Sequence, residues 1–158
     1  MRRTLMLVGG LAAVALAGAA GFALLSRGQP EATVRLAPTD TALVALGANV
    51  YAAQCAACHG ANLEGEPDWR TRRPDGRLPA PPHDETGHTW HHPDEVLFAL
   101  TKYGLPKEIG GKPYLSAMPA YEGILTDREI VAVLSYIKSR WPSEVIARHD
   151  AINAAARP

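Results

Sequence analysis

Cys55-Ala56-Ala57-Cys58-His59 is the stretch on which the reading of this chain turns. The spacing C-x-x-C-H is that of covalent c-type haem attachment. Two thiols three residues apart serve two porphyrin vinyl groups as thioethers. The histidine directly after the second thiol is then set under the iron, where its imidazole becomes the proximal axial ligand. Other chemistries compete for the same residues. Structural zinc normally takes four protein ligands, and the chain has only 2 cysteines. His88 and His92 form an H-x3-H too far beyond Cys58 for a compact finger. A redox dithiol needs a strand-helix context that the flanks do not offer. A plain disulfide remains open on the pentapeptide alone, and the rest of the chain favours haem.

With 158 residues the chain has room for a single ordinary domain and a targeting segment. Its 16 basic and 16 acidic side chains balance, so nothing points to nucleic acid. Only 6% of residues are aromatic, while 14 are glycine and 13 proline. A small, loop-rich chain of this kind needs something besides its own side chains in its core, and a buried porphyrin serves.

Met1-Arg2-Arg3-Thr4 is a short positive leader, followed by an uncharged run from Leu5 to Leu25. A helix of that length spans roughly 30 Å, the hydrocarbon thickness of a bilayer. The arginines favour a cytoplasmic N-terminus and export everything beyond Ser26. Residues 1–25 are therefore expected to be a membrane anchor. The alternative is a cleaved signal peptide with Ala17-Gly18-Ala19 as its small-residue site. Residues 26–38 have no apolar period and read as a linker, with a reach on the order of 40 Å when extended.

A helix capped by Thr39 or Asp40 leads to the haem motif, with Leu43, Leu46 and Val50 at helical spacing. Gly47 and Tyr51 precede Cys55 on the same helix. With these two residues beside the pentapeptide, the chain resembles the class I, mono-haem cytochrome c family. The resemblance implies that the glycine and the aromatic let this helix cross a C-terminal one closely. It also implies that Pro81 or Pro82 offers a backbone carbonyl to the proximal imidazole, fixing its tautomer. Gly60 to Gly65 is similar to the family's loop after C-x-x-C-H-G. Residues 66–87 form a polar loop carrying Arg70, Arg72, Arg73 and Arg77, read as solvated, with a basic docking patch as the alternative.

His88, His91 and His92 surround Trp90 just before Pro93. Pro93 suits the start of a helix running to about Tyr103 and ended by Gly104. Trp90 and one histidine are expected to meet a haem propionate, with no second metal tightly bound. A copper-handling site built on His83, His88, His91 and His92 is the alternative.

The loop from 104 to 117 delivers Met118-Pro119, and in the family such a pair supplies the distal sulfur ligand. Elimination points the same way, since Met1 and Met6 lie in the leader and apolar segment. A histidine of the His88–His92 cluster is the alternative sixth ligand. Thr126 to Glu129 has the pattern of a capping box, and Ile130, Val133, Leu134 and Ile137 form the apolar stripe of the last family helix. Val133 and Tyr136 match the positions expected to meet Gly47 and Tyr51.

The resemblance spans about residues 40–141, with the cytochrome c domain taken as 39–141 and 142–158 as an extension holding one further short helix. The expected fold is all-α, wrapped round one covalent haem c held by Cys55, Cys58, His59 and Met118. The expected role is electron transfer between redox proteins of the bacterial envelope, not catalysis. A small peroxidase-like haem enzyme is a further alternative, and would need an open iron position.

Overall fold

The computed structural model describes residues 33–106, 108–109 and 112–156. The segment expected to be a membrane anchor lies outside them. Among the described residues no helix is long and apolar enough to cross a membrane. The described residues from 34 onward form one compact unit. Its elements in chain order are α1 (Thr41–Gln54), α2 (Ala56–His59), a 3-10 turn (Thr89–His91) and α3 (Asp94–Tyr103). A two-stranded antiparallel ribbon follows, β1 (Glu108–Ile109) with β2 (Lys112–Pro113), then α4 (Asp127–Ser139) and α5 (Ser143–Ala155). The architecture is helical, as expected; among the described residues the ribbon is the one addition.

The helix ends obey local chemistry. Asp40 caps α1 by accepting from the Leu43 N–H at 3.0 Å. Thr126 and Glu129 close a reciprocal capping box on α4, satisfying two otherwise orphaned N–H groups. Pro93 stands just outside α3, with Asp94 and Glu95 in the first turn where carboxylates favour the helix dipole. Gly104 leaves α3 at φ 84°, a conformation costly for any residue with a Cβ.

The α1–α4 crossing organises the core. A Cβ at Gly47 would overlap the Ala132 carbonyl oxygen and press on Tyr136 Cβ. Hydrogen at this one position is what lets the two backbones touch. Tyr51 packs on Tyr136 with ring centroids 5.5 Å apart. Tyr136 thus meets both Gly47 and Tyr51 as expected, while the other residue against the glycine is Ala132, one before the expected Val133. Helical pitch explains the shift: Val133 turns inward and is buried with Ile130, Leu134 and Ile137.

The end of the segment read as a linker is part of the folded unit. Leu36 is buried, and its N–H donates to Asp94 Oδ2 at 3.0 Å. The Ala37 N–H donates to Ser135 Oγ at 3.0 Å. The C-terminal helix closes on the same place. Asn153 accepts from the Asp94 N–H (2.7 Å) and donates to Asp94 Oδ1 (3.0 Å), while His149 Nε2 donates to the His92 carbonyl (3.0 Å). Asp94, His149 and Asn153 are all buried, yet every polar atom of the set finds a partner. Satisfied in this way, such groups avoid the 1–3 kcal/mol or so that an unpaired buried polar atom costs. Burial holds His149 below its ordinary pKa and hence neutral near pH 7.

Candidate haem site

The haem motif begins where α1 ends. The Cys55 N–H still donates to the Tyr51 carbonyl, and the His59 N–H to the Cys55 carbonyl, both at 2.9 Å. The pentapeptide is thus one more helical turn, which puts both thiols and the imidazole on a single rigid element. Cys55 is half-buried and Cys58 exposed, and both are free thiols. Burial, with Cys58 beside it, pushes the Cys55 thiol up to about 11.

His59 is buried. Its Nδ1–H donates to the Pro81 carbonyl at 2.8 Å, so of the two candidate prolines it is Pro81 that makes the contact. Burial also lowers the pKa of His59. A neutral ring that donates through Nδ1 keeps its lone pair on Nε2 for a metal. Two free thiols on one turn and a preset imidazole nitrogen suit a covalently held haem.

Glycines bring the Pro81 carbonyl to this point. Gly65 sits at φ 69°, and a Cβ there would run into Ala80 to Pro82. A Cβ at Gly87 would overlap the Pro82 carbonyl from the other side. The Ala80 N–H donates to Glu66 Oε2 at 2.6 Å and its carbonyl accepts from the Glu66 N–H at 2.9 Å. The Tyr51 hydroxyl donates to the Gly60 carbonyl at 2.8 Å, anchoring the turn that follows the histidine.

Met118 is half-buried in the wall of an open cleft of about 400 Å³, lined also by Gly104, Leu105, Tyr114, Leu115 and Ser116. Its loop is tied down just downstream. The Tyr121 N–H donates to the Thr101 carbonyl (3.1 Å), and the Tyr121 hydroxyl to the Gln54 carbonyl (2.8 Å). Gln54 immediately precedes Cys55, so the methionine loop is fastened to the haem-attachment turn. Tyr121 was not singled out from sequence, where it reads as one more aromatic after Met118-Pro119.

The histidines meet in pairs, His88 edge-on to His92 with ring centroids 5.6 Å apart. His88 stacks on Trp69 (centroids 5.7 Å, 11°) and His91 on Trp90 (3.6 Å). His83 stacks against His59, with centroids 4.0 Å apart. Among the described residues no group of three or more His, Cys, Asp or Glu side chains is arranged to hold a metal. The Trp90 indole N–H donates to the Glu85 carbonyl at 3.3 Å. Three of the four loop arginines are engaged locally. Arg73 pairs with Glu66 at 2.7 Å, Arg72 donates to the Gly76 carbonyl at 2.6 Å, and Arg70 lies over the Trp69 ring. They hold the loop's own shape, which weakens the docking-patch alternative.

The cytochrome c family model matches residues 44–141. The chain belongs to the cytochrome c family. No curated protein and no solved structure matches it. As a cytochrome c it carries covalent haem c, with Cys55 and Cys58 at the attachment spacing, and it works in haem-based electron transfer. The matched span reaches from within α1 to Trp141, so α5 and its buried polar contacts lie outside it.

Proposed function

We propose that this cytochrome c is a single-electron carrier whose haem is held by thioethers to Cys55 and Cys58 and ligated by His59 and Met118. When bound, the haem supplies an iron that cycles between Fe(II) and Fe(III). His59 presents Nε2 because the Pro81 carbonyl accepts a hydrogen bond from Nδ1–H, which keeps the proton on that nitrogen. Met118 offers a soft, weakly donating sulfur, which favours Fe(II) and raises the potential relative to a second histidine. It also fills the sixth position, so the domain is a carrier and not a peroxidase. The observation that carries this reading is the Tyr121–Gln54 hydrogen bond, which fastens the methionine loop beside Cys55.

Met118→Ala is the test. The variant is expected to lose the weak near-infrared methionine-to-iron band of the oxidised protein and to bind cyanide or carbon monoxide readily. Its potential should fall by on the order of 0.1 V, a fraction of the roughly 0.8 V over which axial ligands move haem potentials. A variant with unchanged spectrum, potential and ligand binding refutes the distal assignment and favours a histidine there.

The uncharged run from Leu5 to Leu25 behind two arginines supports an anchor in the bacterial inner membrane, with the haem domain in the periplasm facing a redox donor and acceptor. The protein is expected to stay with carbonate-washed membranes, with residues before Ala20 still on its N-terminus. A soluble form beginning at Ala20 instead identifies a cleaved signal peptide.

A further inference from the structure

His83 has no part in holding haem as described so far, yet its ring lies on the face of the proximal ligand. The His59 and His83 rings are stacked, with centroids 4.0 Å apart and planes 23° from parallel. That separation is van der Waals contact between two flat groups. We propose that His83 is a positioning residue: stacked on His59 and itself held by Thr89 and Trp141, it sets the plane in which the proximal imidazole is presented to the iron. The inference rests on the reading of His59 as the axial ligand.

A hydrogen bond to Pro81 gives the His59 ring a direction but tolerates rocking about it, because carbonyl acceptors accept a broad range of angles. A flat surface against one face removes that freedom, provided the surface is itself fixed. His83 is fixed at three points. Its Nδ1 is 2.8 Å from Thr89 Oγ1, its N–H donates to the Leu63 carbonyl at 2.7 Å, and its carbonyl accepts from Trp141 Nε1 at 2.7 Å. Thr89 and Trp141 are both buried, so neither partner is a mobile surface group. The edge of the Tyr51 ring, 6.5 Å away between centroids, bounds His83 on another side.

The chain economy of this arrangement argues against simple space-filling. Pro81, which orients His59 by hydrogen bond, and His83, which covers its face, lie on one short segment gripped by Gly65 and Gly87. An aliphatic side chain fills the same volume with no polar nitrogen to satisfy. Histidine brings two things an aliphatic group lacks, a flat face and a hydrogen bond that locks its own rotation.

The plane of an axial imidazole decides which iron d orbital meets the ligand π system. Its rotation is therefore read in the anisotropy of the ferric electron paramagnetic resonance signal and in the spread of the paramagnetically shifted haem-methyl resonances. Full-length, haem-loaded protein is compared as wild type, His83→Ala, His83→Phe and Thr89→Val. His83→Ala is expected to rearrange the haem-methyl pattern and shift the largest g value, while His83→Phe, which keeps the flat ring but not the hydrogen bond to Thr89, restores both only part of the way. A His83→Ala pattern identical to wild type, even with lowered thermal stability, reduces His83 to core filling and overturns the proposal. So does a His83→Phe variant no closer to wild type than His83→Ala. Should His83→Ala not assemble with haem, Thr89→Val decides: it leaves the ring in place but frees its rotation, and an unaltered pattern overturns the proposal. Failure of the underlying reading looks different, since wild type itself would then lack a low-spin, histidine-ligated ferric signal.

Discussion

Replacing Cys55 and Cys58 together by alanine is expected to yield a chain that retains little haem and little native structure. The two cysteines form no disulfide and sit on one helical turn ahead of His59, so the double change removes every covalent hold on the cofactor. A group attached to the chain is present at an effective concentration that no free ligand matches, and it stabilises whichever state binds it. Domains of this size are stable by only about 5–15 kcal/mol. This one, with 6% aromatic residues and long Pro- and Gly-bearing loops, has little in reserve. The measurement is haem content by the pyridine haemochrome spectrum, set beside helical circular dichroism. A double variant with full haem and native helicity would contradict the expectation.

Gly47→Ala is expected to be nearly as damaging, although alanine is the better helix former by about 1 kcal/mol. The added methyl falls on the Ala132 carbonyl, a backbone atom that no side-chain rotation can move away. Relief requires α1 and α4 to separate, which also disturbs the Tyr51–Tyr136 contact and the buried stripe from Ile130 to Ile137. Overpacking a tight contact commonly costs 1–3 kcal/mol, and clashing with backbone puts this case at about 3 kcal/mol or more. The loss outweighs the propensity gain. Chemical denaturation of the haem-loaded variant checks the sign: a midpoint at or above that of wild type would mean that the helices do not meet at Gly47.

Much of this was legible in the residues, and the parts that were share a feature. The capping box at Thr126, the break at Gly104 and the apolar stripe of α4 are all written within a few neighbouring positions. Local periodicity and turn chemistry are enough to read them. The attachment turn is likewise contiguous. What was missed depends on distant pairs. Tyr121 meets Gln54, Trp141 meets His83, and Asn153 meets Asp94 across 58 to 67 residues of chain. No local pattern announces such a contact. The same holds for His83, which in sequence is one more histidine near a histidine-rich stretch and in the fold lies against His59. The narrow choice between Pro81 and Pro82 needed the backbone course set by Gly65 and Gly87. The α5 extension read as a helix of no evident use. Its buried His149 and Asn153 hold His92 and Asp94, and Asp94 in turn accepts from the Leu36 N–H.

The most direct measurement is acid–acetone extraction of the denatured, full-length wild-type protein. Thioethers to Cys55 and Cys58 survive unfolding, whereas a haem held only by His59 and Met118 does not. The predicted result is that the porphyrin stays with the precipitated polypeptide and maps to the peptide containing Cys55 to His59. Porphyrin recovered in the acetone phase would contradict covalent attachment at these two cysteines.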